Sequence, residues 1–277
     1  MTIDKLPSCV FVLSAPRAGS TLLRALLAGH TALFSPPELN LLHRENMGDG
    51  MIWALQSGIA TAFSHAISIS QSEANALLMN LNAMQSPIEE VYDLLQSQCA
   101  PKVLVDKSPV YVTNINYLLK AERLFHRPKY IHLIRHPYHA IPSIEKNQIH
   151  YINQAYFHPA QPKVCEWIWS LSNFNALRFF EDEQLHDRSI TIQYESLVDD
   201  PASSLKKLCE FLVLPYETKM LDLYDGSRML GDKDNLMTGD RTIHRYHQIE
   251  NLAKRQMPKL NLEKRTAALA RHLGYHL

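Results

Sequence analysis

The sequence predicts an α/β fold of the P-loop type, with three layers: a central parallel sheet, helices on both faces, and a mostly helical insert. Three observations lead there. Short apolar runs rich in Val, Ile, Phe and Tyr recur along the chain. Each ends in a polar cluster instead of a hairpin turn. Each is then followed by a stretch whose apolar residues have helical spacing. Open parallel sheets collect their ligands just past the carboxyl ends of the strands, so those polar clusters are where chemistry is expected.

The first strand is Cys9–Ser14, a short buried run closed by Ala15-Pro16. Gly19-Ser20-Thr21 then opens a helix carrying Leu22, Leu23, Leu26 and Leu27. Leu33–Leu42, with Pro36, Pro37 and Glu38, reads as a loop. Residues 51–97 are mostly helical by pattern. Ser72 is the expected N-terminal cap of one helix there and Pro87 the start of the next. Further strands are Lys102–Val105, Tyr130–Ile134 and Ile190–Gln193, ending in Asp106-Lys107-Ser108-Pro109, Arg135-His136-Pro137 and Tyr194-Glu195. Lys163–Glu183 is an amphipathic helix in which Trp167, Leu171 and Phe174 mark the apolar stripe. Helices at Pro201–Leu212 and Leu260–Leu273 complete the chain. There is no repeat and no linker, so 1–277 is read as one domain, with 40–100 as a helical lid or acceptor-binding insert.

Hydrophobic residues make up 46% and charged residues 20%, a globular balance that excludes a disordered chain. Formal net charge is zero but uneven. Residues 35–100 hold one basic residue, Arg44, against seven acids, whereas residues 241–277 hold eight Lys or Arg against Glu250 and Glu263. The basic tail is either a solvated face or a dock for an acidic partner. No nucleic-acid-binding pattern is present. The four cysteines have no metal or disulfide spacing. No apolar run approaches the ~20 residues that span a bilayer, and the N-terminus does not read as a secretion signal. The expectation is a cytoplasmic protein without membrane contact.

Ser14-Ala15-Pro16-Arg17-Ala18-Gly19-Ser20-Thr21 is the most informative stretch. It lacks the GxxxxGK[ST] of nucleotide-triphosphate loops but keeps the mechanical parts. Gly19 permits a tight turn. The amides of Ala18, Gly19, Ser20, Thr21 and Leu22 can face an anion at the positive end of the helix. Arg17 adds a charged donor fork. Such a seat suits a phosphate held without an obligatory metal, although an ordinary strand-to-helix turn capped by Ser20 has the same residues.

The chain resembles the PAPS-dependent sulfotransferase family. SAPRAGSTLLRALLAGH resembles that family's 5′-phosphosulfate loop, and YIHLIRHPYHAIPSIEKN its 3′-phosphate site. The resemblance implies that Arg135, with Ser143 eight residues on, binds the 3′-phosphate of PAPS and of its product PAP. IQYESL is similar to the family's YExL segment, which places Tyr194 near the nucleotide. Trp167 matches a Trp carried by the preceding helix. DKSP is similar to an element of the bacterial and tyrosylprotein branches, which brings in Lys107. By the same likeness Glu38 takes the place of a catalytic Glu and is the first choice for general base, with His244 or His247 as alternatives. Gly239, Arg241 and Arg245 would wrap the 3′-phosphate, although segment 231–244 departs from the family pattern.

SPPELNLL, EEVYDLLQ, LVDKSPVY and RHPYHAIPSIE are similar to sulfotransferase domains of modular polyketide synthases that form terminal alkenes. That likeness implies PAPS as donor, no metal, an acyl carrier protein as partner, and a β-hydroxyacyl chain as the hydroxyl-bearing acceptor. Sulfation would convert the hydroxyl into a leaving group. A free alcohol and a peptide tyrosine stay open as acceptors. Two other classes stay open as well: a kinase-like P-loop enzyme, with Asp106 as the acid on magnesium, and an inactive nucleotide-binding module.

Overall fold

In the computed structural model, which describes residues 5–49, 57–149, 163–223 and 259–277, five parallel strands form one sheet. They are β1 (Val10–Ser14), β2 (Leu33–Phe34), β3 (Val103–Lys107), β4 (Lys129–Ile134) and β5 (Ser189–Gln193), in the order β2-β3-β1-β4-β5. The first strand is therefore central. Val12 pairs with Lys107 on one side, and Ser14 pairs with Leu133 on the other. This brings the ends of β3 and β4 to either side of the turn that follows β1. All four expected strands are present. The fifth, β2, lies inside the stretch read as a loop; two residues are too few for a period to show in sequence.

Every residue of β1 is buried, as expected of a strand covered on both faces. Alternation sends Phe11 and Leu13 into one core and Val10 and Val12 into the other. The second core is closed by α1 (Ser20–Leu27), whose Leu23, Leu26 and Leu27 are buried, and by Leu197, Leu205 and Leu208. Each such leucine contributes about 1.5–3 kcal/mol by leaving water. The first core is closed by α2 (Ser57–Ile67), α3 (Gln71–Ala83) and α4 (Ile88–Cys99), which bury Phe63, Leu78 and Tyr92 in the same cluster as Phe11 and Leu13. Helices α5 (Ile115–Leu124), α6 (Pro137–Lys146), α7 (Val164–Asp182), α8 (Tyr194–Asp199), α9 (Pro201–Leu212) and α10 (Lys264–His272) complete the described chain.

Two local expectations are corrected. Ser70, not Ser72, caps α3: its hydroxyl accepts from Glu73 N–H at 3.2 Å, and the Glu73 carboxylate accepts from Ser70 N–H at 2.8 Å. This reciprocal S-x-x-E box starts the helix two residues earlier. On α7 the Trp167, Leu171 and Phe174 stripe faces outward, at 38%, 37% and 51% exposure. The inner face carries Ile168, Trp169, Ala176 and Phe179 together with polar Ser172 and Asn173. Asn173 belongs inside because its amide bonds buried His132 at 3.0 Å and the Trp169 carbonyl at 2.8 Å. Apolar spacing alone therefore picks the wrong side. All four cysteines are buried and unbridged. Among the described residues, no helix is long and apolar enough to cross a membrane.

Candidate functional site

The turn between β1 and α1 is built from two left-handed residues, Arg17 (φ 65°) and Gly19 (φ 96°). Ala18 N–H closes it on the Ala15 carbonyl at 3.2 Å. Gly19 is fixed by space as well as by dihedral. A Cβ there would lie 2.3 Å from the Tyr194 ring, so no other residue fits without moving the ring. Gly19 supplies no side-chain cap to α1. The first-turn amides of Ser20, Thr21 and Leu22 have no carbonyl to meet within the helix and lie at its positive end.

The end of β4 meets this turn directly. Arg135 stacks its guanidinium over the Tyr194 ring, 4.4 Å from the centroid, and donates from Nη1 to the Arg17 carbonyl at 2.9 Å. Arg17 in turn donates from Nε to Ser143 Oγ at 3.2 Å, reaching α6. Both guanidiniums are half-buried. The two anion-binding stretches marked in the sequence thus form one cationic wall, with Tyr194 as a plate behind both. The Arg135 backbone is braced by groups that the sequence did not reveal. Trp169 Nε1–H donates to the Arg135 carbonyl at 3.0 Å, while Trp167, the residue matched by family likeness, lies on the outer side of α7. Glu195 accepts from His136 N–H at 3.0 Å and from the Tyr275 hydroxyl at 3.1 Å. His136 Nε2 lies 3.0 Å from the His276 carbonyl, so the C-terminal residues hold the same corner. Only a strand-end Glu followed 80 positions later by a Tyr marks this brace in sequence, and that spacing carries no local signal.

On the other side of β1, Lys107 ends β3 at 1% exposure and pairs with the Glu38 carboxylate. Burial pulls the Lys107 ammonium below the usual lysine range, and Glu38 opposes that shift. Arg24 is buried too, donating to the Ser35 carbonyl at 2.9 Å; burial lowers its guanidinium to about 10. Glu38 keeps 15% of its side chain exposed. Its carbonyl sits against α2, where a Cβ on Gly58 would come within 2.0 Å of it. Asp106 points away from solvent and accepts from three hydroxyls: Tyr92 at 2.6 Å, Tyr111 at 2.8 Å and Ser108 at 2.8 Å. Its oxygens are occupied, so it does not serve as the open acid that a magnesium-dependent kinase-like reading needs. Among the described residues, no cluster of His, Cys, Asp or Glu is arranged to hold a metal ion.

The sequence-marked residues therefore fall into two groups. Arg17, Ala18, Gly19, Ser20, Thr21, Leu22, Arg135, Ser143 and Tyr194 gather on one side, and Glu38 with Lys107 on the other. Gly239, Arg241, His244, Arg245 and His247 lie outside the described residues.

Comparison with known proteins shows the family. A family model described as "Sulfotransferase family" matches residues 7–218. The solved structure of the sulfotransferase domain from the curacin biosynthetic pathway is 36% identical. It covers 99% of this chain and 100% of its own, with a TM-score of 0.89. The sulfotransferase domain of the Synechococcus PCC 7002 olefin synthase is 33% identical, covering 100% of this chain and 98% of its own, with a TM-score of 0.85. Protein-tyrosine sulfotransferase A of Caenorhabditis elegans is 25% identical over 215 residues, 76% of this chain and 51% of that protein. The chain thus spans about half the length of that relative.

Proposed function

The chain belongs to the sulfotransferase family, and from that premise we propose that it moves a sulfuryl group from PAPS to the β-hydroxyl of an acyl chain held on a carrier protein. The observation that carries the donor half is the joined wall of Arg17, Arg135 and Ser143. A doubly phosphorylated nucleotide needs two anion seats at a fixed spacing, and this wall offers one at the mouth of α1 and one at the end of β4. Arg17 and the amides from Ala18 to Leu22 would take the 5′-phosphosulfate. Arg135 and Ser143 would take the 3′-phosphate. Tyr194 keeps both cation-bearing segments in register. PAPS, when bound, supplies an activated sulfuryl group on a phosphate leaving group.

The remaining groups meet the demands of in-line transfer. Arg17 stabilises negative charge on the departing phosphate, with Lys107 as a second cation from the neighbouring strand end. Glu38 accepts the proton of the attacking hydroxyl. Its pairing with buried Lys107 holds the carboxylate in place. The acceptor half rests on the full-length likeness to two biosynthetic sulfotransferase domains, one of them from an olefin synthase. On this reading the helical stretch 40–100 shapes the acceptor side, and the basic C-terminal region faces an acidic carrier protein.

A labelled-donor assay against carrier-bound β-hydroxyacyl chains, their pantetheine thioesters, simple alcohols and tyrosine peptides tests the reading. Label is expected on the carrier-bound chain. Label on tyrosine peptides alone would overturn the acceptor assignment. Binding of PAP with no transfer to any acceptor would identify an inactive binding module.

A further inference from the structure

Three consecutive backbone amides in the loop after β2 are held by side-chain hydroxyls in place of carbonyls. Asn40 N–H donates to Ser108 Oγ at 3.0 Å, Leu41 N–H to the Tyr111 hydroxyl oxygen at 2.8 Å, and Leu42 N–H to the same oxygen at 3.4 Å. A hydroxyl is a dependable acceptor only when its own hydrogen is committed elsewhere. Here both hydrogens are committed to Asp106. Ser108 donates to Oδ1, and Tyr111 donates to Oδ2 beside Tyr92. Asp106 accepts from both, so it sets the direction in which the Ser108 and Tyr111 oxygens face the loop amides.

The segment held in this way is the one that carries Glu38. Asp106, Lys107 and Ser108 are consecutive, and alternation along β3 turns Lys107 to the opposite side from its neighbours. Lys107 binds the Glu38 carboxylate, while Asp106, acting through Ser108 and Tyr111, binds the backbone two to four residues further on. Gly58 closes on the Glu38 carbonyl from α2. Asn40 is left-handed at φ 51°, a conformation Asn tolerates but one that needs support from its surroundings. Burial pushes the Asp106 carboxyl above the usual carboxylate range, and the Tyr92, Tyr111 and Ser108 hydroxyls with the Lys107 charge act against that.

We propose that Asp106, with Ser108 and Tyr111, is a positioning unit that fixes the Glu38 loop for proton transfer. The proposal rests on the reading of Glu38 as general base, and the test separates the two. Asp106→Asn would leave buried groups unpaired and can fail to fold, so Tyr111→Phe and Ser108→Ala are the working variants. Each is compared with Glu38→Gln and with the corresponding double variant. The readouts are kcat at saturating donor, with whichever acceptor takes label in the panel above, and PAP affinity by calorimetry.

Tyr111→Phe is expected to lower kcat about tenfold or more, since a misplacement near 1 Å can cost about a hundredfold. PAP affinity should stay within about twofold, and adding Tyr111→Phe to Glu38→Gln should cause no further loss of kcat. A full rate in Tyr111→Phe and Ser108→Ala, or an equal further loss when either is added to Glu38→Gln, overturns the positioning unit while leaving Glu38 as base. A full rate in Glu38→Gln overturns both.

Discussion

The two sides of the turn after β1 hold their charges by different means. On the donor wall, two half-buried guanidiniums are tied by one carbonyl, one hydroxyl and one ring: Arg135 to the Arg17 carbonyl, Arg17 to Ser143, Arg135 over Tyr194. On the acceptor wall the cations are dry. Lys107 and Arg24 are each 1% exposed, Glu38 sits on Lys107, and a fully buried carboxylate organises the loop behind it. The difference matches the tasks proposed for each wall. A nucleotide anion must enter and leave in every cycle, so its cations stay close to water and exchange partners at little cost. A proton acceptor must stay in one place, so its surroundings over-determine it.

That contrast can be broken most sharply at Gly19. Gly19→Ala puts a methyl 2.3 Å from the Tyr194 ring, at φ 96°. Either the ring or the turn must shift, at a cost of about 1–3 kcal/mol. The expected outcome is PAP affinity weaker by about tenfold or more in calorimetry, with a fall in kcat as well, because Arg17 in the same turn faces the departing phosphate. Unchanged PAP affinity would mean that the turn does not seat the nucleotide. A smaller effect sharpens the same contrast at the far end of the chain. Tyr275→Phe removes the hydroxyl that donates to Glu195, a bond worth about 0.5–1.5 kcal/mol. It should weaken PAP binding about two- to fivefold without touching kcat. Unchanged affinity would show that the C-terminal brace is ornamental to the Arg135 corner.

The same division explains how much of the molecule was legible in its sequence. The donor wall lies on strand ends and one tight turn, features that leave short contiguous patterns, so Arg17, Gly19, Arg135, Ser143 and Tyr194 could be marked from local residues and family likeness together. Fully buried strands such as Val10–Ser14 also announce themselves, because both faces must be apolar. What stayed hidden depends on distant partners. Asp106 reads as a strand-end acid open to a magnesium ion; only the fold supplies Tyr92 and Tyr111 to cover it. Trp169 differs from Trp167 only in which side of one helix meets the sheet, and the polar pair Ser172 and Asn173 on the inner side masks the answer. The cap of α3 is hard to read for a smaller reason: two serines stand two apart, and only the glutamate three residues on selects Ser70.

The central claim is that Arg135 and the turn after β1 grip opposite ends of one nucleotide. Its most direct test is calorimetry of the Arg135→Ala variant with two ligands, adenosine 3′,5′-bisphosphate and adenosine 5′-monophosphate. Loss of a charged seat should weaken the bisphosphate about tenfold to a hundredfold, while the 5′-monophosphate, which never reaches that seat, binds within about twofold of the parent. Equal losses for both ligands, or no loss for either, would contradict the two-seat account.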